Sequence, residues 1–151
     1  MKWLISIANG LNKLGDIPPL LARLVVAFGL WPKAVYKLGD PEGFGNFLHS
    51  LNVPAPHFFA WVTLLVELIG TWLLVVGLFT RIISIPLMVT VLVAIFTVHW
   101  HNGFSAGNNG FEIPLYYFVF FFWFFISGPG RISLDALIAR KYRQRPPTKM
   151  I

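Results

Sequence analysis

His57–Thr80 reads HFFAWVTLLVELIGTWLLVVGLFT, an apolar run that carries one charge, Glu67, near its middle. A helix needs about 20 predominantly apolar residues to cross a bilayer, and this run supplies them. A carboxylate at that depth has to be protonated, paired or functional. The run decides the class of fold, and Glu67 poses the functional question.

The surrounding chain agrees. Of its 151 residues 56% are hydrophobic and 12% charged, with a mean hydropathy of +0.69, whereas soluble domains carry about a quarter charged residues. The composition predicts an all-α integral membrane protein, a polytopic four-helix bundle with interfacial helices at its N- and C-terminal ends. Spans are expected at about 18–38, 57–79, 84–101 and 112–127, forming one domain over residues 1–151. Pro18 and Pro19 suit a first helical turn, Pro54 and Pro56 stand ahead of the second span, and Ser84 is read as the cap of a third helix whose first turn accepts Pro86. Asn108, Asn109 and Gly110 make the turn into the fourth span, and Gly128, Pro129 and Gly130 end it. The stretch from Phe44 to Leu51 is expected to form a further short helix.

Charge and cysteine content narrow the function classes. With no cysteine the chain has no disulfide, thiol nucleophile or Cys-ligated metal centre, so a redox role requires a bound partner or cofactor. The net charge of +6 is concentrated, with Arg131, Arg140, Lys141, Arg143, Arg145 and Lys149 near the C-terminus, which suits a membrane-surface anchor and not nucleic acid. Lys2, Lys13, Arg81 and this tail fall on one side of the predicted spans, and Lys33 and Lys37 on the other. The positive-inside rule then puts both termini in the cytoplasm of a multi-pass cell (plasma or inner) membrane protein. No cleavable signal pattern follows Lys2, and the first span is expected to serve as the insertion signal. Leu4, Ile7, Leu11 and Leu14 form one interfacial stripe, and Leu134, Leu137, Ile138 and Tyr142 a second.

The second span, read as a surface, aims Glu67 inward. Ala60, Thr63, Glu67, Gly70, Thr71 and Leu74 fall close together on a helix, while Trp61, Leu65, Trp72 and Val76 point elsewhere. Small and polar residues let helices approach in membranes, so this face is predicted to meet the bundle. The third span offers Thr90, Ala94, Thr97 and His101 as its opposite number. Arg23 and Lys33, each about five residues from the middle of the first span, can both reach Glu67. Arg23 is the preferred partner because its guanidinium grips a carboxylate with two hydrogen bonds, whereas Lys33 and Lys37 can snorkel outward. The polar site so formed is read either as a ligand or proton site, with Arg23, Glu67 and Lys33 as ligand-binding candidates, or as an ion pair that fixes helix register.

Three other groups carry weaker signals. His99, His101 and Glu112 are expected at one mouth of the bundle, where histidine titration can exchange protons with Glu67. The two histidines stand two apart and face different ways, which argues against a metal site. Glu112 also suits a helix N-terminus electrostatically. The run YYFVFFFWFF from Tyr116 to Phe125 offers rings, Trp123 among them, to a flat quinone headgroup, though lipid and helix packing is the preferred reading. In RISLD, Ser133 is expected to cap the tail helix with Asp135 in its first turn, and Arg81 to act as a topology charge.

GPGRISLDAL from Gly128 to Leu137, LLVVGLFTR from Leu73 to Arg81 and HNGFSAGNNGFEIPL from His101 to Leu115 stand in an order and spacing that resembles the DoxX family of small four-helix membrane proteins. The similarity runs from about Leu20 to Arg140. It implies matching positions at Glu67, Arg81, His99 or His101, Glu112, Gly130, Arg131, Ser133 and Asp135. It also implies association with redox systems: the family takes its name from a membrane subunit linked to a terminal oxidase and to thiosulfate:quinone oxidoreductase, and relatives associate with superoxide dismutase and a sulfurtransferase. One departure stands out. Where members often carry a His-Gly pair ahead of a lysine, this chain has Trp31 and Pro32 before Lys33. The expected function is a membrane subunit of a quinone-linked redox complex, with a quinone as non-covalent ligand, a redox protein as partner and Glu67 at its polar site. The alternative is a non-catalytic anchor or assembly factor that recruits a soluble enzyme.

Overall fold

The computed structural model describes residues 14–143. The stripe of Leu4, Ile7 and Leu11, and the charges Lys2, Lys13, Arg145 and Lys149, lie outside the described residues. Within them the chain is all-α. Helix α1 spans Ile17–Gly39, α2 Pro41–Ser50, α3 Pro56–Val76, α4 Thr80–Ala94, α5 Glu112–Ser127 and α6 Leu134–Arg143. A π-helical turn, Ile95–His99, and a 3-10 turn, Trp100–Asn102, extend α4 without a break. Three helices, α1, α3 and the extended α4, are long and apolar enough to cross a membrane, while α5 is shorter at 16 residues.

Local chemistry sets the boundaries. Proline occupies the first turn of α1, α2 and α3, where its missing N–H costs nothing. Asp40 caps α2 by accepting the Gly43 N–H at 2.8 Å. At the end of α3, Gly77 takes φ 68, and the N–H groups of Leu78 and Gly77 close on the Leu73 and Leu74 carbonyls at 3.0 and 3.2 Å. That pattern is a Schellman motif, which only a left-handed residue permits. The third predicted span, α4, starts earlier than expected, at Thr80. Ser84 is not its cap: one turn inside, its hydroxyl donates to the Thr80 carbonyl at 2.7 Å, and Pro86 lies within the helix. A buried hydroxyl satisfied by its own helix is an alternative to capping that the sequence pattern does not distinguish.

α3 packs between α1 and α4, α4 packs along α5, and α2 lies across the first half of α3, whereas α1 and α5 touch only lightly. The small shared core consists of Val26, Ala27 and Leu30 from α1, Leu74 from α3, Leu87 from α4, and Phe121 and Phe124 from α5. Most other large apolar side chains face outward along all four long helices, the arrangement that lipid and not water rewards. Gly70 lets the Leu87 side chain approach the α3 backbone. α4 meets α3 at Leu87; of its predicted stripe, Thr90, Ala94 and Thr97 are half-buried and His101 is exposed, while Ser84, Leu87 and Ile95 are buried. The Thr90 and Thr97 hydroxyls bond to their own helix, at the Leu87 and Val93 carbonyls.

Candidate functional site

Glu67 faces the bundle, 9% exposed, with Ala60, Leu64, Gly70, Thr71 and Leu74 buried on the same side. Its partner is Lys37, whose ammonium donates to both carboxylate oxygens at 2.7 Å. Side chains on a helix lean toward its N-terminus. Because α1 and α3 run antiparallel, Lys37 and Glu67 lean toward one another. Phe44 of α2 lies over this pair, with its ring centre 4.7 Å from the Lys37 ammonium. One turn earlier on α1, Lys33 holds its ammonium 5.0 Å from the centre of the Tyr117 ring on α5. It feels the charges of both Glu67 and Lys37. Below the pair, the Thr71 hydroxyl donates to the Glu67 backbone carbonyl at 2.6 Å. Thr71 also lines a groove of about 670 Å³ on the flank of α1 and α3, walled by Leu24, Phe28, Trp31, Trp72 and Val75.

The expected pairing of Arg23 with Glu67 is overturned. Arg23 is 1% exposed and leans the other way, toward the start of α1. Its guanidinium donates to the Leu74 carbonyl at 3.1 Å and to the Ile132 carbonyl. These are the end of α3 and the approach to α6, so Arg23 satisfies a helix C-terminus in place of a carboxylate. Nearby, Asp135 accepts from the Phe79 N–H at 2.9 Å and the Thr80 N–H at 3.1 Å, while its own N–H donates to the Gly77 carbonyl at 3.0 Å. Phe79 has φ 49, a costly conformation for a bulky side chain, and this carboxylate holds it. Ser133 is the expected cap: its oxygen accepts the Ala136 N–H at 3.2 Å. Asp135 sits in the first turn of α6 as predicted and in addition caps α4. Gly77 completes the joint, since a Cβ there would collide with Arg23 and Ser133.

Both arrangements lie mainly on the segment that the DoxX family profile matches, residues 19–100. The chain belongs to the DoxX family. Among curated proteins, this DoxX protein is 29% identical over 134 residues to an uncharacterised protein of Haemophilus influenzae, covering 86% of each chain. It is 33% identical over 105 residues to a Bacillus subtilis protein named "Putative oxidoreductase CatD", covering 70% of this chain and 76% of that one. An uncharacterised membrane protein of Mycobacterium tuberculosis is 28% identical over 141 residues, covering 82% and 84%. No solved structure matches.

The remaining candidates of this DoxX protein are placed separately. Glu112 accepts the Ala106 N–H and the Tyr116 hydroxyl, each at 2.9 Å. His99 Nδ1 lies 2.7 Å from the Asn109 carbonyl oxygen, to which Asn102 also donates at 3.2 Å. These contacts fold the 103–111 loop, with Trp100 stacked on Phe111, and His101 is exposed. Among the described residues no His, Asp and Glu gather in a metal-binding group. Trp123 packs against Phe124 and the core, Phe121 and Phe124 are buried, and Phe120, Phe122 and Phe125 face outward, so the aromatic run chiefly serves packing and lipid. Arg81 lies against Gly128 at the end of α5.

Sequence reading missed Lys37 and Tyr117. The signal for Lys37 was present: it continues the Arg23, Val26, Ala27, Leu30 and Ala34 stripe at helical spacing. Tyr117 was one ring in an aromatic run, and only packing distinguishes it.

Proposed function

We propose that this DoxX protein is the membrane component of a redox system and takes a quinone, or a similar small lipophilic molecule, at the polar site formed by Glu67 and Lys37. The observation that carries this reading is Thr71, which lines the apolar groove and bonds to the Glu67 carbonyl. Through it the apolar cleft comes within one helical turn of Glu67, although neither Glu67 nor Lys37 lines the cleft. Pockets of this kind, apolar with a few placed polar groups, suit small lipophilic ligands. Trp31 and Trp72, edge to face at 5.4 Å, offer aromatic walls. A quinone supplies two-electron, two-proton chemistry, and because this chain has no cysteine the electrons come from a bound partner or cofactor. The residues here orient the ring and exchange an acceptor: Glu67 can release Lys37 and take up a proton as the ligand's oxygen replaces it. The resemblance to a relative named as an oxidoreductase supports the redox assignment.

A second reading, an anchor that recruits a soluble enzyme, is favoured by α6, which carries Arg140, Lys141 and Arg143 on a helix held to the bundle end by Asp135. With that end cytoplasmic, as the positive charges indicate, both readings are compatible in one protein.

The test is titration of a short-chain ubiquinone or menaquinone analogue into the protein in lipid nanodiscs. Saturable binding is expected, weakened about tenfold, or by 1.4 kcal/mol, in Glu67→Gln. Absence of saturable binding in the wild-type protein rules out the quinone site.

A further inference from the structure

The two ends of the bundle differ in charge. On the α2 side Asp40, Glu42, Glu67 and Glu112 outnumber Lys33 and Lys37, whereas at the tail end Arg23, Arg81, Arg131, Arg140, Lys141 and Arg143 stand against Asp16 and Asp135. The tail end also holds a second cleft, of about 510 Å³, whose lining includes Asp16, Pro19, Arg81, Gly128, Arg131 and Asp135. Neither carboxylate there neutralises an arginine closely. Asp135 uses its two oxygens to accept the Phe79 and Thr80 N–H groups, and Asp16 stands 4.0 Å from the Arg131 guanidinium, too far for a hydrogen bond. Arg81 makes no hydrogen bond or ion pair among the described residues. Its guanidinium lies on the bare backbone of Gly128, where a Cβ would stand 3.1 Å from Nε.

The floor of the cleft is fixed by its own chemistry. Gly128 and Gly130 take φ 79 and 81, which favour glycine. The Ser133 hydroxyl donates to the Gly130 carbonyl at 2.7 Å, and Gly130 rests on Pro19 of α1, which a Cβ would meet at 2.9 Å. The walls are span ends, with the first turns of α1 and α4 and the last residue of α5, Ser127. That is the level of lipid headgroups. Apolar side chains open to lipid stand beside it: Ile85, one turn deeper on the Arg81 face of α4, Ile126 before Ser127, and Ile132 after Arg131.

We propose that this cleft binds the phosphate of an acidic phospholipid, with Arg81 as its principal donor and Arg131 as its second. A guanidinium fork matches phosphate oxygens, and the excess of positive charge at this end favours a net-negative headgroup over a zwitterionic one. The exposed isoleucines receive the acyl chains, whereas an acidic peptide would use the arginines and leave those isoleucines without a role. The inference does not rest on the quinone reading, since the two clefts share no lining residue.

Native mass spectrometry of the full chain released from dodecylmaltoside micelles, with dioleoylphosphatidylglycerol or dioleoylphosphatidylcholine added, tests it. Saturable binding of phosphatidylglycerol is expected, about tenfold tighter than that of phosphatidylcholine, and weakened about tenfold in Arg81→Gln and about threefold in Arg131→Gln. Arg81→Lys should lose less than Arg81→Gln. A combined Arg140→Gln and Lys141→Gln variant, which changes the charge of α6 outside the cleft, should bind within about twofold of the wild type. Arg131 is 79% exposed, so its variant stays readable if Arg81→Gln loses the wild-type circular dichroism spectrum. Equal affinity for the two lipids, unchanged phosphatidylglycerol binding in a folded Arg81→Gln, or an equal loss in the α6 variant would overturn the proposal. If inorganic phosphate displaces phosphatidylglycerol from the wild type and binds more weakly to Arg81→Gln, the phosphate site stands with free phosphate as a source. Displacement by pentaglutamate as effective as by phosphatidylglycerol would overturn the lipid assignment in favour of an acidic protein.

Discussion

Two cationic side chains leave α1 on one stripe and keep different company. At the tail end Arg23 is fully buried and bonds to backbone carbonyls of α3 and of the approach to α6. At the α2 end Lys37 keeps 22% of its side chain exposed and holds the Glu67 carboxylate beneath a short helix. Backbone carbonyls at a helix end cannot leave, so Arg23 has a permanent partner. A carboxylate can take up a proton or trade its cation for another donor. The contrast teaches that depth and charge do not by themselves mark function in a membrane helix. What marks it is whether the partner can be exchanged.

The largest effect should come from Arg23→Met. It removes two charge-assisted bonds, to the Leu74 and Ile132 carbonyls, of about 1.5–3 kcal/mol each. A loss of about 3–5 kcal/mol is expected in denaturant unfolding from mixed micelles. A cost below about 1 kcal/mol would show that Arg23 is no structural joint. Asp135→Asn comes next, at about 1–2 kcal/mol, since it removes a charged cap from the Phe79 and Thr80 N–H groups. Trypsin should then cut faster at Arg140 and Lys141 while the bundle stays folded, and an unchanged cleavage rate would mean that α6 is held by something else. Smallest in stability should be Glu67→Gln, at about 1 kcal/mol, because Lys37 can swing its ammonium toward the surface along its flexible stem. Combining Lys37→Glu with Glu67→Lys should recover most of that. A loss as large as that of Arg23→Met would erase the distinction between the two ends.

Much of this was legible from residues alone. The face of α3 that buries Glu67 was read from helical spacing, because small and polar side chains on one side of an apolar helix leave few other orientations in lipid. Ser133 as a cap followed from local chemistry of the same kind, and the short helix expected over Phe44–Leu51 is present but begins earlier, at Pro41 behind its Asp40 cap. The partner of Glu67 did not. It was chosen by distance along the span and by the strength of a guanidinium grip, and both criteria ignore the direction in which side chains lean. Arg23 leans away from Glu67 and Lys37 leans toward it. On α4 the predicted stripe is half-buried at Thr90, Ala94 and Thr97, with the threonine hydroxyls bonded to their own helix, while Leu87 fills the gap at Gly70.

The sequence by itself determined that this chain lives in a membrane, how its helices are punctuated and that Glu67 points inward, because hydropathy, capping and helical period are local properties. Tertiary structure alone decided that Lys37 neutralises Glu67, that Asp135 reaches across to cap α4, and that Lys33 lies over the Tyr117 ring. Those outcomes depend on which helices run antiparallel and how closely each pair packs, and neither is encoded in any one segment.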